Sequence, residues 1–221
     1  SSKDLKSSLR ALLREVAQPV AVVTSSKKAQ ALSSTPSPET TQHHLFHGAT
    51  LSSFSSISMD PHPLVAFALR VPSRMATTLT ALAPTPFSRS SLPPRQPSSG
   101  GTDRDPTHLV LNILSSNQHA FACSFSRPDL HPHPFESAPY TLSVDGLPIL
   151  DRALGALSCK VVARVKLSEL GGTEDPLSGI WSHNDGRGVA SELFIAQVVR
   201  VEDVPNQRAI PLLYRRQGYT S

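Results

Sequence analysis

The sequence predicts a mainly β domain, a barrel or sandwich with a few helices laid on it. Three observations predict this. Short apolar, β-branched runs recur along the chain, separated by turn signals. Only a few stretches show helical spacing. There is no repeated strand–helix alternation and no strand leading into Gly-x-Gly-x-x-Gly, which argues against a dinucleotide-binding α/β fold.

The elements follow in chain order. Residues 4–17 place Leu5, Leu9, Leu12, Leu13 and Val16 on one helical stripe, with Lys6, Arg10 and Arg14 off it, and Ser2 or Asp4 can cap the helix. A basic amphipathic start also suits a mitochondrial targeting signal, but Asp4 and Glu15 weigh against that. Pro19 ends the helix, and residues 20–24 read as a buried strand. Residues 45–51 and 64–70 are further strands. Residues 74–82 form a short helix with Met75, Leu79 and Leu82 on one face. Residues 108–114 read as strand and 116–124 as a second short helix. Asp145-Gly146 marks a turn. Residues 153–167 and 192–204 are long strands, and 211–214 can close the sheet.

The composition looks poor for a core. Only 38% of the 221 residues are apolar, against roughly 45–50% in an average globular protein. The polarity is concentrated, however. Residues 25–44, 84–107, 127–139 and 170–190 hold few large apolar side chains, and 84–107 alone carries six prolines. Such stretches cannot bury enough surface to offset chain entropy, so they read as loops or insertions in one domain spanning 1–221. No run of about 20 apolar residues exists, so no transmembrane helix is expected. The net charge is +4, scattered and without a basic cluster, so no nucleic-acid partner is expected. Two cysteines make no disulfide framework. Reduced thiols fit an intracellular protein, cytoplasmic or mitochondrial.

The most informative stretch is 48–74. Thr50, Ser52, Ser53, Ser55, Ser56 and Ser58 crowd hydroxyls between two strands, and Ser73-Arg74 follows the second. Hydroxyls, backbone N–H groups and a fixed cation suit a phosphate. A solvated serine-rich turn is the competing reading. His43, His44 and His47 have no Cys or carboxylate partners at zinc spacing, so a metal site is not expected. Cys123 and Cys159 read as small core residues. No Gly-x-Ser-x-Gly surrounds the serines, which disfavours a serine hydrolase.

The order of motifs resembles the flavin reductase-like family, the FMN-binding split barrel. The resemblance begins at Gln18-Pro19-Val20-Ala21-Val22-Val23-Thr24 and is densest from Gly48-Ala49-Thr50-Leu51-Ser52-Ser53 to Met59-Asp60-Pro61. It continues through Pro63-Leu64-Val65, the region 70–77, Leu111-Asn112-Ile113-Leu114, Asp145-Gly146-Leu147-Pro148, Leu157-Ser158-Cys159-Lys160-Val161, Phe194-Ile195-Ala196-Gln197-Val198 and Pro211-Leu212-Leu213-Tyr214. The polar stretches fall between these motifs.

The resemblance implies a six-stranded antiparallel split barrel with Greek-key connections, dimerising around non-covalently bound FMN. By position, Thr50, Leu51, Ser52 and Ser53 would contact the flavin and its ribityl chain. Ser56, Ser58, Ser73 and Arg74 would lie near the phosphate, and the segment 19–24 beside the isoalloxazine. Hydride would come from NADH or NADPH, with no side-chain acid or base required. One departure stands out. Many reductases of the family carry Gly-Asp-His before the last long strand, where this chain has Val189-Ala190-Ser191. The alternative is therefore an FMN-binding or interaction module of a larger assembly that has lost nicotinamide-dependent reduction.

Overall fold

The computed structural model describes residues 2–27, 45–51, 53–84, 106–170, 190–204 and 209–220. Twelve strands are found among them: β1 (Gln18–Pro19), β2 (Ala21–Ser26), β3 (Phe46–Leu51), β4 (Phe54–Ser58), β5 (Leu64–Val71), β6 (Leu109–Ile113), β7 (Tyr140–Leu142), β8 (Pro148–Leu150), β9 (Gly155–Lys166), β10 (Ala190–Glu202), β11 (Leu213–Arg215) and β12 (Gly218–Thr220). Three α-helices accompany them: α1 (Ser2–Glu15), α2 (Arg74–Leu82) and α3 (His119–Ser126).

The main sheet is antiparallel throughout and runs β3-β2-β6-β9-β10-β5-β4. Its two outer strands are consecutive in sequence, with only residues 52–53 between them. The chain therefore passes from one edge of the sheet to the other within a few residues, and the sheet must curl on itself. Counted as one bent strand, β3 and β4 reduce the seven strands to the six of a split barrel.

Alternation decides what fills it. Ala21 and Val23 of β2, Leu51 of β3, Val65, Phe67 and Leu69 of β5, and Phe194 and Ala196 of β10 point inward into one buried cluster. Met75, Ala76 and Leu79 of α2 plug this core. The other face of β2 is also covered: Val20 and Val22 pack with Phe46, Ala122 and Phe125 beneath α3. Covering on both faces explains why residues 20–23 are continuously apolar.

Several expectations are refined. Residues 127–139 are irregular, as a loop should be, yet they are well anchored. Phe135 is buried edge-on against Phe46, Phe125 and Tyr140, and Ala138 is buried beside it. The second short helix begins as a 3-10 turn at Ser116–Gln118 before α3. The strand expected over 211–214 is found as β11, Leu213–Arg215, and pairs with β1 and β12 rather than with the barrel. The reason is Leu212, a buried residue whose N–H bonds the carbonyl of Leu114 and whose carbonyl accepts from Val20 N–H. Half of the hydroxyl-rich stretch is strand β4, paired to β5, and not an open wrap. Asp145-Gly146 does make the turn between β7 and β8, with Gly146 at φ +74°, where a side chain would be strained. The expected polar stretches lie largely outside the described residues, as do His43, His44 and Ser52.

Helix α1 forms as its periodicity predicts, but its stripe is bare. Leu5, Leu9, Leu12, Leu13 and Val16 are all exposed. Its C-terminal end is tied down by the Arg216 N–H to the Arg14 carbonyl, at 2.8 Å, and by Glu15 between Arg215 and Arg216. No helix of the described residues is long and apolar enough to cross a membrane.

Candidate functional site

The strand registers place the split. β4 pairs with β5 only as far as Phe54 opposite Phe67, so Ala68, Leu69 and Arg70 run on without it. β3 is hydrogen-bonded to β2 on one side and ends the sheet on the other. Between these two edges lies a cleft of about 560 Å³, lined by Ala49 to Leu51 and Ser53 on one side and Ala68 to Arg70 on the other. This volume is ordinary for a small-molecule site, in the range of roughly 300–1,000 Å³.

Of the residues singled out from the sequence, Thr50, Leu51, Ser53, Ser73 and Arg74 line the cleft. Thr50 donates its hydroxyl to the Ala122 carbonyl at 2.7 Å, which anchors α3 and leaves the oxygen able to accept. Leu51 is a core residue at the cleft floor. Ser73 caps α2 by accepting from Ala76 N–H, so its own O–H is free to donate inward. Arg74 is exposed at the first position of α2, where the helix end adds positive potential. Ser56 and Ser58 do not line it. They sit on edge strand β4, and Ser58 donates to the Asp60 carbonyl.

Two further residues line the cleft: Lys27, which nothing in the sequence singles out, and His47, which the sequence raises only as a metal ligand and disfavours as one. Lys27 lies just past β2, inside a stretch read as insertion, and His47 lies on β3 opposite Ser25. Both line the cleft beside Arg74. A signal existed for His47: it shares the inward face of β3 with Ala49 and Leu51, where a polar side chain is unusual. Lys27 carried no comparable signal. Burial pushes the His47 imidazole down to about 4, helped by the charges of Lys27 and then Arg74. Lys27 is itself held below the ordinary lysine range, by burial first and then by Arg74. No Asp or Glu is among the described lining residues. The cleft therefore carries an uncompensated positive field at one end.

The cleft also has an aromatic lining. Phe46, Phe125, Phe135, Tyr214 and Tyr219 line it, together with Arg127, His131 and His133 and with Pro128, Pro132 and Pro134 of the anchored loop. Gly48 makes this packing possible, because a Cβ there would meet the Phe125 ring at 2.3 Å. The aromatic lining suits a flat conjugated ring and the cationic group a phosphate, and the residues present fit a phosphorylated flavin.

The cysteines play no visible part here. Burial pushes the Cys159 thiol up to about 12, which makes it inert. Cys123 is half-buried, not a core residue, with its sulfur 3.6 Å from His119 Nε2.

Comparison with solved structures returns the same fold. The NADH:FAD oxidoreductase SgcE6 of Streptomyces globisporus C-1027, in complex with NAD and FAD fragments, is 19% identical with a TM-score of 0.62, covering 100% of this chain and 94% of that one. A flavin reductase domain protein from Arthrobacter sp. FB24 is 17% identical with a TM-score of 0.61, covering 97% and 94%. The styrene monooxygenase flavin reductase of Pseudomonas putida S12 is 22% identical with a TM-score of 0.56, covering 96% and 95%. The model of the flavin reductase like domain matches residues 13–221, which takes in the barrel and the cleft-lining residues from Val20 to Tyr219. With the split barrel and its cleft in place, that match over nearly the whole chain makes the protein a member of the flavin reductase like domain family.

Proposed function

We propose that the chain is a flavin-dependent oxidoreductase that holds FMN non-covalently in the split and takes hydride from NADH or NADPH. The observation that carries this is the cleft itself, which combines aromatic and cationic side chains without a carboxylate among its described lining residues. Arg74 and the Ser73 hydroxyl stand ready for a phosphate. Thr50, Leu51, Ser52 and Ser53 would border the ribityl chain and ring, Thr50 held in place by its bond to α3. Ser56 and Ser58, expected near the phosphate, are not among the residues that line the cleft of the single chain. A bound flavin supplies the hydride acceptor, so the protein needs to bind, orient and exclude water rather than transfer a proton. The aromatic wall and the strand edges do that work.

A homodimer belongs to this reading. The bare stripe of α1 is an apolar surface that a second copy would cover.

A second reading is favoured by Val189-Ala190-Ser191, which stands where many reductases of the family have Gly-Asp-His. The chain would then hold FMN within a larger assembly without reducing it. Two measurements decide. The purified protein, incubated with FMN and desalted, should keep a visible flavin band; a colourless protein removes both readings. Anaerobic NADH or NADPH should then bleach the band. A bound flavin that stays oxidised with both leaves the second reading.

A further inference from the structure

Lys27 follows the end of β2, His47 lies on β3 and Arg74 opens α2, and all three line the cleft. Ser25, two residues before Lys27, is the strand partner of His47, and the charge of Lys27 bears on the His47 imidazole. Lys27 and Arg74 repel one another and both bear on His47. Neither has a carboxylate partner among the described residues. Like charges gathered in a cleft cost free energy unless an anion offsets them.

The charges also say which anion. Lys27 and Arg74 are the two cations that bear on His47, whose imidazole offers an N–H donor, and Arg70 and Arg127 also line the cleft. A phosphate monoester carries about −1.5 to −2 with three free oxygens on one phosphorus. It matches two cations and one neutral donor at a single locus. The pyrophosphate of FAD spreads its two charges over two phosphorus atoms and offers no single phosphorus with three free oxygens to the three donors.

We infer that Lys27 and His47 complete, with Arg74, a subsite for a terminal phosphate monoester, and that this subsite makes the cleft select FMN over FAD. The inference rests on the flavin reading above and adds its specificity.

Equilibrium titration with riboflavin, FMN and FAD tests it. FMN should bind at least tenfold more tightly than FAD. Lys27→Met keeps the aliphatic stem and should weaken FMN about ten- to hundredfold, the range for a lost charge-assisted hydrogen bond, with riboflavin changed less than twofold. His47→Gln should keep part of the FMN preference and His47→Leu lose it. FMN and FAD binding alike, or Lys27→Met weakening riboflavin as much as FMN, would overturn the subsite while leaving flavin binding intact. If no flavin binds, inorganic phosphate still reads the subsite. The His47 imidazole resonance should move on phosphate addition in the wild type and stay still in a Lys27→Met, Arg74→Gln double variant. An unmoved wild-type resonance overturns the proposal.

Discussion

Gly48 and His47 are neighbours on β3 that face opposite ways, and each has a distinct physical demand. At Gly48 the Phe125 ring occupies the space a side chain would need, with Cδ1 at 2.3 Å and Cε1 at 2.4 Å from an added Cβ. Gly48→Ala must push α3 outward. We expect a loss of about 1–3 kcal/mol, as for other overpacked cores. A thermal melt checks it; a melting temperature within a degree of wild type would mean that the ring moves freely. At His47 the demand is electrostatic. The imidazole is kept neutral down to about 4, while in the unfolded chain it titrates near the ordinary histidine value of about 6.5. Between those values the unfolded state binds a proton that the folded state does not. Stability from this group is whole above 6.5, falls as pH drops toward 4, and does not fall further below that. The slope is at most about 1.4 kcal/mol per pH unit. Melting followed from pH 7 to 4.5 should show the decline, and His47→Gln should flatten it; an unaltered slope in the variant would assign the decline to other groups.

At the scale of elements, α2 does two jobs. Its apolar face of Met75, Ala76 and Leu79 fills the barrel, and its first turn presents Arg74 to the cleft. Because Arg74 is exposed and outside the core, Arg74→Ala should leave the melt nearly unchanged. FMN affinity should fall about tenfold or more and riboflavin affinity little, since only FMN has the phosphate. Equal losses for both ligands would place Arg74 against the ring instead. The periodicity of 74–82 was legible because helix propensity, the Ser73 cap and the apolar face all agree. β4 was not legible. Its run of serines hides the two-residue alternation, and only pairing with β5 makes it a strand. That pairing also takes Ser56 and Ser58 away from the cleft. The loop 127–139 misled in the opposite sense: its prolines suggest an insertion, while one side chain, Phe135, ties it to the aromatic cluster.

For the whole molecule, the feature that stands out is α1, whose apolar stripe is left exposed. A helix that leaves Leu5, Leu9, Leu12 and Leu13 in water gains little from its own fold. If a second copy covers it, Leu9→Glu with Leu12→Glu should shift the sedimentation coefficient from dimer to monomer, while the barrel's melt at low concentration is retained. A wild-type chain that sediments as a monomer would remove the dimer. The amino-acid sequence by itself determined the class of the fold, most strands and helices, the order of motifs and the Ser73-Arg74 end of the site. Those features rest on local periodicity, turn chemistry and capping, which a short window contains. Only the tertiary structure decided where the barrel splits, that Leu212 draws the last strands to the outer face, and that Lys27, His47 and Arg74 share one cleft. These depend on closure between strands distant in the chain. Lys27 and Arg74 are 47 positions apart, and nothing local makes them neighbours until β3 and β5 curl toward each other around a buried core.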